Sequence, residues 1–317
     1  MAQAPCVPPD YPLYYLRPIP AVPWTGAQMW PLLSCPDEGG RGGTDPSRRY
    51  LMDPKSTIVT FSDIHSNLDA LERTIGRLKM MEINNHKKFI GIGDIIGYGP
   101  QPKECAMLVR DFAIHVQGNH ERYLQPDANL RRVNPHARQA VELTKDILSN
   151  GDSELLDWLK SLPEDFIQKT PKGFKLRFTH YAPNSDMGYV RNKEEAAKAF
   201  EGMDPEIKIT FVGHTHQPAL MEMREDGKAD FLPGQDLKKH FGWENPITLD
   251  PDSQYIINVG SVGQPRDGDP RASVVLYDFN AHEIKFLRVD YDIEKTQQKI
   301  RDAGLPDWLA DRLAEGK

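Results

Sequence analysis

The chain predicts an α/β fold, and three observations lead there. Runs rich in β-branched and aromatic residues alternate with segments whose apolar residues recur every three to four positions. Several of these runs stop at a glycine-bearing loop that carries Asp, Asn or His. In open α/β sheets ligands collect at such carboxyl ends of strands. The 317 residues are enough for one large domain, or two small ones, with a sizeable core.

The first central strand is Ser56-Thr57-Ile58-Val59-Thr60-Phe61. Ser62-Asp63-Ile64-His65-Ser66-Asn67 follows, with Asn67 placed to cap a helix whose Leu68, Leu71, Ile75 and Leu78 keep a 3.6 period. Asp63 and His65 are two apart, so an extended segment would turn both toward one ion. Taken alone, the pair also fits a capping Asp and a surface His. The second unit runs from Lys87-Lys88-Phe89-Ile90 into Gly91-Ile92-Gly93-Asp94-Ile95-Ile96-Gly97-Tyr98-Gly99-Pro100. Its glycines let the main chain pass close to whatever Asp94 holds. Asp94 is the residue expected to bridge two metal ions, with the other loops converging on it. A helix over about 101–110 leads to the strand Phe112-Ala113-Ile114-His115-Val116 and then Gly118-Asn119-His120-Glu121. Asn119 offers a neutral carbonyl oxygen, and His120 beside it would lie over bound substrate.

Residues 136–160 read as two helices, with Trp158 in the core. Phe174 to Thr179 alternates like a strand and ends at His180. Ile207 to Val212 is another strand, and it ends in Gly213-His214-Thr215-His216. Two histidines two apart, with a glycine for clearance, have metal-ligand spacing. Residues 221–253 are polar and read as an irregular insertion or lid near the substrate mouth. Tyr255 to Val259 is a strand that leads into Gly260-Ser261-Val262-Gly263-Gln264-Pro265-Arg266-Asp267. Arg266 could grip a phosphate bidentately, or could be a solvated arginine in a tight turn. Two antiparallel strands over 271–278 and 283–290 follow. Amphipathic helices over about 293–303 and 306–315 have packing as their simplest role. His86, His115, His136, His240 and His282 lie outside the strand ends and carry no expected chemistry.

Residues 1–52 differ from the rest in their proline, glycine and aromatic content. They read as a mobile tail without the basic and apolar regions of a signal peptide. Tyr14, Tyr15, Trp24 and Trp30 could instead clamp on the body or a partner, and Met52 could be the true start. The net charge of −7 leaves no basic footprint for long nucleic acid or anionic membranes. No apolar run approaches the roughly 20 residues that span a bilayer. Cys6, Cys35 and Cys105, without a Cys-x-x-Cys pair, fit a reducing cytoplasm. Oligomeric state is not legible.

Asp63-Ile64-His65, Gly93-Asp94, Gly118-Asn119-His120, His180 and Gly213-His214-Thr215-His216 occur in the order of the calcineurin-like metallophosphoesterase superfamily, which the chain resembles over about residues 56–290. The resemblance implies a four-layer sandwich, two packed mixed β-sheets flanked by helices, as one domain over 53–292, with 293–317 packed on it. It implies Asp63, His65 and His216 as ligands of a first metal, and Asn119, His180 and His214 as ligands of a second. Asp94 is then the bridge and His120 the catalytic histidine. The Gly-Tyr-Gly-Pro segment and the Arg266 loop resemble a bacterial subgroup of small phosphodiesterases and phosphatases. Some members of that subgroup are diadenosine tetraphosphate hydrolases.

The implied reaction is phosphoester hydrolysis by in-line attack of a metal-bridging hydroxide, on a small phosphoester or nucleotide. The mixed N/O ligand set favours two transition-metal ions (Mn, Fe, Zn or Co, with Mn first) over Ca. A protein-binding scaffold on the same fold, or a nuclease, is the rival. Protein Ser/Thr phosphatases of the superfamily carry an acidic residue and an arginine where this chain has Gly97 and Tyr98, which leaves the partner of His120 unidentified. Tyr181 stands after His180 where a small residue is common, and would narrow the pocket.

Overall fold

The computed structural model describes residues 57–81, 87–111, 113–128, 135–150, 153–185 and 188–317. The expected tail over 1–52, the Met52 start, His86 and Phe112 lie outside the described residues.

Two six-stranded mixed sheets form the body. In the first, β1 (Thr57–Phe61), β2 (Lys87–Ile92) and β3 (Ala113–Val116) run parallel. β11 (Ala272–Asp278), β12 (Glu283–Val289) and the two-residue β9 (Ile247–Thr248) continue it antiparallel. In the second, β5 (Lys175–Thr179), β6 (Ile207–Val212) and β10 (Gln254–Asn258) are parallel neighbours. β4 (Asp165–Lys169) borders them on one side, and β7 (Ala219–Met223) and β8 (Ala229–Pro233) on the other. The central strands are buried on both faces, so β1 and β6 read as nearly continuous apolar runs rather than alternating ones.

The inner faces of the two sheets share one core, in which Ile58, Ile90 and Val275 meet Phe178, Ile209 and Ile257. Phe178 and Phe211 stack with ring centroids 5.1 Å apart, and Phe211 reaches Tyr277 of the first sheet at 6.2 Å. Phe211→Ala would therefore open a cavity between the sheets, at a cost of about 3–5 kcal/mol.

Helices cover the outer faces: α1 (Leu68–Met80), α2 (Pro102–Arg110), α3 (Asn119–Arg122), α4 (Pro135–Ser149), α5 (Ser153–Lys160), α6 (Lys193–Phe200), α7 (Gly234–His240), α8 (Ile293–Asp302) and α9 (Asp307–Glu315). α1 starts as expected, with the Asn67 side chain accepting the Ala70 N–H at 3.1 Å. α8 and α9 bury Ile300, Leu309 and Leu313 against Ala140 of α4, and Tyr98 of the Asp94 loop packs on that cluster. The C-terminal helices thus stand beside the strand ends. Among the described residues no helix is long and apolar enough to cross a membrane.

Residues 221–253 are not irregular. They supply the end of β7, all of β8, α7 with its buried Leu237, and β9; β8 edges the second sheet and β9 the first. Edge strands bury only part of their surface, so their apolar signal is weak and polar residues dominate the reading. Trp158 is half-buried rather than central, and meets His115 edge-on at 5.6 Å.

Candidate active site

The three parallel strands of each sheet end at one edge, and main-chain bonds lace the loops there. The Asp63 N–H donates to the Gly93 carbonyl (3.1 Å) and the Gly213 N–H to the His180 carbonyl (3.1 Å). Val262 N–H to Ser62 O (3.0 Å) and Gly263 N–H to Asp63 O (2.9 Å) tie the second sheet to the first. Five of the seven residues expected to hold metal take left-handed backbone: Asp63, His65, Asp94, His214 and His216. Such φ values cost L-residues about 1–3 kcal/mol each and persist where surrounding structure over-determines them. Asp63 and His65 are therefore not extended, as their spacing suggested. The tight turn, closed by Asn67 N–H to Ile64 O at 3.1 Å, aims both side chains inward by another route.

The side chains converge in two groups whose donor atoms lie within 4.8 Å of one another. One is Asp63, His65, Asp94 and His216, all buried; the other is Asp94, His180 and His214. Asp94 belongs to both: its Oδ2 is 3.6 Å from His65 Nε2 and 3.3 Å from His180 Nε2. His216 Nε2 stands 3.2 Å from Asp63 Oδ1 and 3.1 Å from His65 Nε2. Asn119 Oδ1 joins the second group, 3.2 Å from His180 Nε2.

Three imidazoles are fixed from behind. The Nδ1 atoms of His65, His180 and His216 face the carbonyls of Ile96 (3.1 Å), Ile92 (2.7 Å) and Gln264 (2.6 Å). A carbonyl only accepts, so each Nδ1 carries the proton and each Nε2 turns a lone pair to the centre, the usual arrangement behind a metal-ligating histidine. Asp63 Oδ1 is buried with no hydrogen-bond partner, an acceptor awaiting a cation. Oxygen and imidazole donors with free lone pairs fit divalent transition metals.

The charges interact strongly. Burial would raise the carboxyls of Asp63 and Asp94, but the histidines around them outweigh it and hold both well below the usual carboxylate range. Burial pushes His216 down to about 3 and His214 to about 4. At His180 burial acts the same way, but the Asp94 and Asp63 charges win and raise it to about 10. That negative field is the one a cation would neutralise.

His120 is buried, its N–H donating to Asp94 Oδ1 at 2.9 Å. Among the described residues no carboxylate pairs with its ring, and Nδ1 has no hydrogen-bond partner. The imidazole lies against Gly97, where a Cβ would come within 1.9 Å of Nδ1. Tyr98 and His65 flank it at 4.6 and 4.8 Å. The missing acidic residue is thus replaced by packing, and burial pushes His120 down to about 3.

Glu121 is the residue that sequence reading passed over. It is wholly buried and accepts four main-chain N–H bonds, from Asp94 (2.8 Å), Ile95 (2.9 Å), Ile96 (3.2 Å) and Gly118 (2.9 Å). Burial and the Asp94 charge push its carboxyl up, to about 7, while these donors act against them. No acceptor among them suits a protonated carboxyl, so the ionised form fits best. Glu121 staples the Asp94 loop to the Asn119 turn. Its signal was position alone, directly after Gly118-Asn119-His120. His115 carries no chemistry, as expected: Nε2 meets the Val109 carbonyl at 3.0 Å.

Arg266 also faces the site, its guanidinium 5.7 Å from the Tyr98 ring centre. Tyr181 is partly exposed and lies 4.8 Å from the His214 ring, as does Tyr189, so aromatic rings line the mouth on that side.

Comparison with known proteins agrees with this fold and site. The calcineurin-like phosphoesterase superfamily domain matches residues 57–282. The chain belongs to that superfamily, and its buried Asp/His cluster makes it a metal-dependent phosphoester hydrolase. It is 36% identical to a metallophosphoesterase from Sphaerobacter thermophilus of known crystal structure, with a TM-score of 0.65, covering 83% of this chain and 99% of that one. An uncharacterized protein from Methanocaldococcus jannaschii is 37% identical over 265 residues, 83% of this chain and 99% of its own. A hypothetical protein from Pyrococcus horikoshii, 16% identical, shares the fold with a TM-score of 0.61 over 83% of this chain and 99% of its own.

Proposed function

We propose that the chain hydrolyses a small phosphoester or nucleotide with two divalent ions. Asp63, His65 and His216 would hold one, Asn119, His180 and His214 the other, and Asp94 both. The observation that carries this reading is Asp94 Oδ2, which faces a ring nitrogen of each group at 3.3 and 3.6 Å. When bound, such a pair supplies a water of lowered pKa and positive charge toward the phosphoryl oxygens. Three Nδ1–H bonds to carbonyls keep the ligand rings from turning as substrate arrives. His120, neutral at pH 7, is placed to donate to a phosphoryl or leaving oxygen. Arg266 supplies a cation on the Tyr98 side of the mouth. The scaffold alternative loses support because all seven candidate ligand side chains converge. Manganese is the ion we favour.

The test is hydrolysis of p-nitrophenyl phosphate and bis-p-nitrophenyl phosphate by metal-stripped protein, with and without Mn²⁺, alongside metal content. Turnover restored at two ions per chain is the expected result, and the ratio of the two rates gives monoester or diester preference. Turnover that saturates at a single ion would remove the two-ion reading.

A further inference from the structure

The C-terminal helices do more than pack. Gln264 lies in the loop after β10, and its Oε1 accepts from Arg266 Nη2 at 2.6 Å and from Arg312 Nη1 of α9 at 3.1 Å. One neutral oxygen therefore draws two guanidiniums together beside the metal cluster, on the Tyr98 side. The acidic side chains of the same loop are committed elsewhere: Asp267 pairs with buried Arg288, and Asp269 with Arg271 at 2.6 Å. Among the described residues, neither Arg266 nor Arg312 has an Asp or Glu side chain within ion-pair distance. Arg266 Nε is buried without a hydrogen-bond partner. Arg312 bonds otherwise to the main-chain oxygen of Lys317 and lies over the Trp308 ring at 4.2 Å. Burial and the Arg266 charge push the Arg312 guanidinium down to about 10, the direction expected of a cation held beside another.

Two guanidiniums held on one neutral oxygen repel each other, an anion between them would relieve that repulsion, and paired guanidinium forks match the oxygens of a phosphoryl group. We propose that Arg312 extends the grip of Arg266 into a second anion subsite, so that the preferred substrate carries a further phosphoryl group beside the scissile one, as a nucleoside diphosphate does. This rests on the phosphoesterase reading above for the scissile group. α9 is then the element that selects for substrate charge.

Calorimetric titration of inorganic pyrophosphate into metal-stripped protein tests the subsite without turnover. The wild type should bind, Arg312→Gln should weaken binding about tenfold or more, and Arg312→Lys should fall between them. No binding by the wild type, equal binding by Arg312→Gln, or a lowered melting temperature with unchanged affinity would overturn the proposal. With Mn²⁺-loaded enzyme, Arg312→Gln should raise KM for ADP by a larger factor than KM for p-nitrophenyl phosphate; equal factors would also overturn it. If loaded wild type cleaves neither compound, the phosphoesterase reading fails, and the pyrophosphate titration still decides the subsite.

Discussion

The two halves of the metal cluster are built differently. In the first, His65 and His216 stack at 4.7 Å, are buried, and are each pinned through Nδ1 to a carbonyl. In the second only His180 is so pinned. His214 is part-exposed, its ring has no hydrogen bond among the described residues, and Tyr181 and Tyr189 flank it. A closed, over-determined pocket thus sits beside one with a loose wall. On the two-ion reading, one carboxylate would join a closed position to a more open one, and the ion of the second half is expected to leave first.

The largest effect should come from the residue common to both. Asp94→Asn is expected to lower kcat/KM by at least about 100-fold, the scale for removing one preorganised electrostatic group. Metal content measured with hydrolysis checks it, and near-normal turnover with two ions retained would sink the bridging role. Gly118→Ala comes next, since its Cβ would fall 2.2 Å from Asp94 Oδ1. Overpacking of this kind costs about 1–3 kcal/mol. Calorimetry should show a fall of roughly 2–4 °C in melting temperature per kcal/mol, with loss of both ions rather than one.

Glu121→Gln replaces an acceptor-only staple with an amide that confronts some of its four N–H donors with another donor. Metal affinity is expected to drop about 10–100-fold, as for other groups that orient ligands from behind. The asymmetry itself is tested by dialysis against a weak chelator: one ion should leave well before the other. His214→Ala should retain the slow ion, whereas His216→Ala should lose it. Simultaneous release from wild type would erase the distinction between the halves.

The smallest effect lies behind the first half, where α1 meets α8. Burial would raise the Asp69 carboxyl, but Lys295 and Lys299 of α8, at 2.7 and 2.5 Å, outweigh it and lower it from 3.8. A depressed carboxyl stabilises the fold fully above its unfolded value, and that stability is lost as pH falls through the folded value. Asp69→Asn should therefore cost about 1 kcal/mol at pH 7, since Lys295 is half-exposed, and much less near pH 3. Urea unfolding at the two pH values measures the difference.

Much of the site was legible from local pattern. A strand that ends in Gly-Asp, Asn-His or His-x-His places its ligands wherever the strand is placed, so Asp63, Asp94, Asn119, His180, His214 and His216 could be picked out one loop at a time. β7, beside the edge, and the edge strands β8 and β9 were not legible, because partial burial leaves little apolar period. Glu121 was passed over because its four bonds depend on how one loop lies against another. Arg312 read only as part of a packing helix because the residue that gives it a purpose, Gln264, is 48 positions away.

Local pattern and residue chemistry were enough for the family, for the strands that end in the site loops and for the candidate ligands, since each of these can be read within a short window. Tertiary structure alone decided which atoms face one another: His65 and His216 meet across 151 residues, five candidate ligand residues take a left-handed backbone, and α9 brings a second arginine beside Arg266. The reason is physical. Long-range contacts and strained dihedrals exist only when the whole core is assembled to hold them, and no short window of sequence carries that constraint.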